Sequence, residues 1–65
     1  MYKNKIRKYR KNKNMTLRDL SDRVGISFGY LSHLEKGTRN NPSKDVMEKI
    51  ATALDSNIPD IFFSE

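Results

Sequence analysis

The sequence predicts an all-α domain of five short helices, and three observations carry that expectation. Apolar residues recur three or four apart in four separate stretches, the period of a helix buried on one side. Residues able to cap a helix start, Thr16, Ser27, Ser43 and Asn57, stand ahead of the later helices. Chain breakers follow at 12–14, Gly25, Gly37 and 55–57, and no stretch reads as a strand.

The first helix is expected over residues 2–13. Tyr2, Ile6, Tyr9 and the stem of Lys13 share one face, with Arg10 at its edge. Lys3, Lys5, Arg7, Lys8 and Lys11 are left exposed, able to track phosphates or simply solvated. Met15 is expected to turn inward.

Thr16 then opens the second helix as its N-cap, and Asp19 places a negative charge near the positive helix end. Leu17, Leu20, Ser21 and Val24 form its face. Gly25 supplies a residue tolerant of positive φ, which ends the helix. Ser21 is small enough to let the next helix cross closely. Ile26 faces inward and Ser27 caps the third helix, so about three residues make the turn of a helix-turn-helix. At 100° per residue, Leu31 and Leu34 point together toward the second helix. Gly29, Ser32, His33 and Lys36 point away, and Phe28 and Tyr30 lie on the flanks. That outer side is small and polar, able to enter a groove or to be an ordinary wet face.

Residues 38–43 read as loop, with Lys36, Thr38, Arg39, Asn40 and Asn41 concentrating donors there. Such a loop can hold phosphates or only connect. Ser43 caps the fourth helix, whose buried stripe is Val46, Met47, Ile50, Ala51 and Leu54. Asn57 caps a last short helix with Pro59 in its first turn. Ile58, Ile61, Phe62 and Phe63 supply late apolar bulk, at least one closing the core. The surplus, Phe63 above all, is expected to offer a partner surface.

At 65 residues one domain, 1–65, is expected. Such a chain buries only about 60% of its unfolded surface. Without cysteine there is no disulfide or thiolate metal site, and one histidine cannot make a histidine metal site. No apolar run approaches the roughly 20 residues of a membrane helix. The charged start lacks the apolar core of a secretory signal, so a cytoplasmic protein without a membrane partner is expected. Net charge is +5, distributed as +7 over residues 1–14, +1 over 15–40 and −3 over 41–65. A small domain with one basic end points toward a polyanion, although a lysine- and asparagine-rich composition can contribute to the same charge.

The residues from Ile6 to Phe62 resemble the Cro/CI repressor type of helix-turn-helix, the XRE family. The likeness lies in Ile6-x-x-Tyr9-Arg10, Thr16-x-x-x-Leu20-Ser21, Gly25-Ile26-Ser27, Tyr30-Leu31-Ser32 and Leu34-Glu35-Lys36-Gly37. The Asn41-Pro42-Ser43 start of helix four, Ile50-Ala51-x-x-Leu54 and the closing Ile61-Phe62 complete it. The resemblance implies a five-helix lambda-repressor-like DNA-binding domain whose third helix, 27–36, enters the major groove. It implies base reading by Phe28, Gly29, Ser32 and His33, and a structural ion pair between Arg10 and Glu35. Phosphate contacts are expected from Thr16, Ser27, Lys36, Thr38, Arg39 and Asn40. Leu17 stands where the family usually has a phosphate-binding glutamine, so one anchor is missing. Phe28 and Gly29 are poor hydrogen-bonding readers, which shifts weight to shape and phosphate contacts.

The function expected is a sequence-specific, double-stranded DNA-binding transcriptional regulator, a repressor working as a homodimer on DNA. Its dimer surface is expected at Ile58, Ile61, Phe62 and Phe63. The alternative is a protein-interaction module, such as an antitoxin, with DNA binding secondary. No enzyme is expected: Ser32 and His33 are adjacent on a helix and diverge by 100°, so no base can address the hydroxyl. No catalytic residue, metal, cofactor or small-molecule ligand is evident.

Overall fold

The computed structural model describes residues 4–39 and 41–63. Their elements are α1 (Ile6–Asn12), α2 (Leu17–Val24), α3 (Phe28–Lys36), α4 (Lys44–Ala53) and a single wide helical turn, α5 (Pro59–Phe63). There is no strand among the described residues. Helix α2 sits centrally against α3 and α4, and α1 packs on α5.

Every element gives at least one residue to the core. Ile6, Leu20, Leu31, Leu34, Ile50 and Ile61 are fully buried, with Ala51, Ala53, Leu54 and Phe62 beside them. Tyr9, Met15, Leu17, Val24, Ile26, Tyr30, Val46, Met47 and Ile58 pack around this centre half-buried. Leu17 thus extends the apolar stripe.

The caps of α2 are local chemistry. Thr16 Oγ1 accepts from the Asp19 backbone N–H at 3.0 Å, and Asp19 Oδ2 accepts from the Thr16 N–H at 2.9 Å. This reciprocal pair satisfies two donors that the first helical turn leaves open. At the other end Gly25 takes φ +71°, where a side chain would be strained. Ser21 does more than leave room for α3: its hydroxyl donates to the Ile26 carbonyl at 2.6 Å, tying the turn to α2. Three other breaks use Asn14, Asn41 and Asp55 at positive φ, residue types that tolerate that region.

Two expectations need correction. Helix α1 begins at Ile6, not at residue 2. Asn4 Oδ1 accepts from the Ile6 N–H at 3.0 Å, and Asn4 Nδ2 donates to the Leu34 carbonyl at 2.9 Å. The Lys5 N–H donates to the Ile61 carbonyl at 2.8 Å, so the chain before Ile6 is held by tertiary bonds rather than a helical ladder. Tyr2 and Lys3 lie outside the described residues. Lys13, which ends the helix, is paired with Asp55.

The second correction concerns the expected dimer surface. Ile61 is 0% and Phe62 4% exposed, because α5 folds back onto α1 and closes the core with them. They cannot serve a partner. Of that group only Phe63, 67% exposed, and the half-buried Ile58 remain at the surface.

Candidate nucleic-acid interface

The two sides of α3 are unlike. Leu31 and Leu34, three apart, are enclosed and hold the helix to the core. On the other side Gly29, His33 and Lys36 are exposed and Ser32 is half-buried. Phe28, in the first turn, is 44% exposed. A Cβ at Gly29 would meet nothing within 4 Å. Packing therefore does not require glycine there; its effect is to keep the surface low where a groove would approach.

The helix is fixed at its far end by charge. Arg10, 8% exposed, donates from Nε to Glu35 Oε1 at 3.1 Å and from Nη2 to Oε2 at 2.9 Å. Its Nη1 donates to the Met15 carbonyl at 2.8 Å. The planar fork matches a carboxylate with two parallel bonds, which sets orientation as well as distance. Arg10 and Glu35 thus join α1 to the last turn of α3, and Asn4 adds its bond to Leu34 beside them.

Two further guanidiniums flank the exposed side. Arg39 lies over the Tyr30 ring, 5.4 Å from its centroid, and Arg18 of α2 lies 5.2 Å from that of Phe28. Both are cation–π contacts, which restrain long side chains while leaving their N–H groups available. Arg18 has no role in the reading of the sequence. A cation in the first turn of α2 is a weak signal, and which ring it meets depends on how α2 crosses α3.

The capping hydroxyls sit at helix starts. Ser27 Oγ accepts from the Tyr30 N–H at 3.2 Å, much as Thr16 accepts from Asp19. The Ser27 hydroxyl, accepting there, still has its own proton to donate, whereas that of Thr16 is also engaged with the Asp19 carboxylate. The hydrogen bonds from the Thr16 backbone and hydroxyl hold the Asp19 carboxyl below its ordinary pKa. Past the end of α3, Thr38 is drawn against His33. Its Oγ1 lies 2.9 Å from Nδ1 and 3.1 Å from the His33 carbonyl. Asn40 lies outside the described residues. Phe28, Gly29, Ser32 and His33 therefore share α3 with Lys36, while Thr38 and Arg39 are folded back onto that helix. Among the described residues no group of acidic or histidine side chains is placed to hold a metal ion, and no helix is long and apolar enough to cross a membrane.

The arrangement has counterparts among known proteins. A family model described as Helix-turn-helix matches residues 6–61. The HTH-type transcriptional regulator SinR of Bacillus subtilis is 35% identical over 54 residues, which are 83% of this chain and 49% of SinR. A crystal structure of SinR, the master regulator for biofilm formation, in complex with DNA superposes with a TM-score of 0.80 at 35% identity. That match covers 83% of this chain and 86% of the other. A SinR protein/SinI protein complex superposes at 0.81 and 34% identity, covering 85% of this chain and 53% of that one. The chain spans about half the length of the curated relatives it matches. Matched over nearly all its length and folded as those relatives are, the chain belongs to the XRE, or Cro/CI-type, family of helix-turn-helix proteins.

Proposed function

We propose that this chain is a sequence-specific, double-stranded DNA-binding transcriptional regulator that represses by occupying an operator. The observation that carries the proposal is the exposed side of α3: low at Gly29, polar at Ser32 and His33, and flanked by guanidiniums stacked on Phe28 and Tyr30. Its relative SinR has been solved on DNA, which supports the same reading. Phe28, Gly29, Ser32 and His33 face the base edges. Phe28 can pack on a thymine methyl group. Thr16, Ser27, Lys36 and Arg39 hold phosphates, joined by Arg18, and fix the register.

The domain measures 25 × 21 × 20 Å. Half-sites one DNA turn apart are about 34–36 Å from centre to centre, so one copy serves one half-site and a homodimer reads a pseudo-palindrome. Catalysis has no part in this reading: His33 Nδ1 is turned to Thr38, not to Ser32. Among the described residues the large exposed apolar side chains are Phe28, on the α3 side assigned to DNA, and Phe63, and a single remaining ring is a small basis for a role centred on a protein partner.

Selection of bound sites from random duplex DNA tests the proposal. Wild type is expected to enrich a palindromic site. Arg39→Ala should weaken binding to all duplexes alike and lower the salt slope by about 1, as one phosphate contact is lost. Gly29→Ala should keep or raise stability, by up to about 1 kcal/mol, and yet weaken the selected site. Failure of the wild type to enrich any sequence would refute the reading.

A further inference from the structure

We infer that Arg18 is a positioning residue that holds the Phe28 ring to read the 5-methyl group of a thymine, so that one guanidinium couples a phosphate contact to base discrimination. The inference rests on the DNA reading above and adds the residue through which Phe28 becomes selective.

Phe28 is an unusual reader because its ring is set outside the core. It is 44% exposed and is not among the apolar residues packed on the buried centre. A ring free to turn about its side-chain bonds gives up that freedom on binding, which weakens any contact it makes. The guanidinium of Arg18 lies over this ring, 5.2 Å from its centroid. Tyr30 makes the contrast. Arg39 stacks on it in the same way, at 5.4 Å, but Tyr30 already packs against the core and needs no second restraint. Of the two rings, Phe28 is the one whose setting depends on its arginine.

Arg18 is suited to hold a ring and a phosphate together. It is exposed and, among the described residues, forms no ion pair. Stacking uses the flat face of a guanidinium and leaves its five N–H donors around the edge. A phosphate accepting from that edge clamps the arginine, and the clamped arginine covers one face of the ring. The rest of the ring turns to the groove, where Gly29 beside it adds no side chain. A ring held so meets the C5 methyl of thymine, the one methyl that any of the four bases shows in the major groove. Cytosine and uracil carry only hydrogen at that carbon. The fold itself has little use for Arg18, since a cation in the first turn of α2 lies at the positive end of the helix.

The test is binding to the duplex enriched by selection and to copies in which each thymidine in turn is deoxyuridine, which removes only the methyl. Wild type should lose about threefold to fivefold at one position of each half-site, the worth of one buried methyl group. Phe28→Ala should bind both forms equally there. Arg18→Ala should keep the melting midpoint, lower the salt slope by about 1 and nearly abolish the thymine preference. Arg18→Met, which can still lie on the ring but carries no charge, should lower the slope equally and keep most of the preference. Arg39→Ala should lower the slope and leave the preference whole. In the free protein the ring should move the Arg18 side-chain proton resonances upfield, and Phe28→Ala should abolish that shift. An Arg18→Ala variant with a lowered slope and an undiminished thymine preference would overturn the inference while leaving the DNA reading intact. So would a wild type indifferent to every deoxyuridine, or unshifted Arg18 resonances in the free protein. A wild type that enriches no duplex would sink the DNA reading and this role together, even with the stack present in the free protein.

Discussion

Among the described residues two ion pairs tie α1 and the Lys13 that ends it to other parts of the molecule, and they differ in almost everything except their charges. In the Arg10–Glu35 pair each side chain is 10% exposed, the bonding is bidentate, and Arg10 has a third acceptor at Met15. In the Lys13–Asp55 pair the side chains are 35% and 76% exposed and a single ammonium meets a single oxygen. Water competes freely for the second pair and hardly at all for the first. Burial makes the first pair costly to form and far more costly to break, while the second is close to optional. The comparison teaches that one charge pair positions α3 and the other only decorates the turn after α4.

The largest test removes one partner of the buried pair. Arg10→Ala should cost about 3 kcal/mol or more, because it leaves the Glu35 carboxylate enclosed and unpaired. In a domain this small such a loss lowers the melting midpoint by more than about 10 °C, readable by thermal circular dichroism. A smaller effect comes from replacing both partners with apolar residues. The double variant Arg10→Met with Glu35→Leu should recover part of that loss, since no charge is stranded, and the unrecovered part belongs to the Met15 carbonyl. If the double variant is no better than Arg10→Ala, the asymmetry between the pairs has another source.

The smallest effect is expected at the exposed pair. The hydrogen bond and charge of Lys13 hold the Asp55 carboxyl below its ordinary pKa. A depressed carboxyl stabilises the fold above its unfolded pKa, and that contribution is lost as pH falls through the lowered value. Asp55→Asn should therefore differ slightly from wild type at neutral pH in urea melts, and the two should converge in acid. Asp19, also depressed, contributes with the same sign. A large gap at neutral pH between Asp55→Asn and wild type would erase the contrast.

What could be read from the sequence follows the range of the interactions. Helices α2 and α3 are bounded by Thr16, Gly25, Ser27 and Gly37, each acting within a few residues, and a local pattern shows them directly. The start of α1 combines a local bond, Asn4 to the Ile6 N–H, with Asn4 reaching Leu34 and Lys5 reaching Ile61, and those two contacts no local pattern contains. Ile61 and Phe62 announce that they will be buried but not by what, so a partner and the chain's own core look alike until α5 is placed. At the candidate site the exposed side of α3 follows from its 3.6-residue period. The Arg18–Phe28 stack needs the crossing of two helices, and the His33–Thr38 bond needs the turn at Gly37 to bring the chain back.

The backbone bond from Lys5 to Ile61 has a consequence for synthesis. The helix-turn-helix can assemble from contiguous chain and α1 can dock on it through Arg10–Glu35 and Asn4–Leu34, whereas the Lys5 bond must wait for α5, made more than fifty residues later. Through that interval the first turn of α1 is anchored on the α3 side alone, and the bond to Ile61 adds the second anchor.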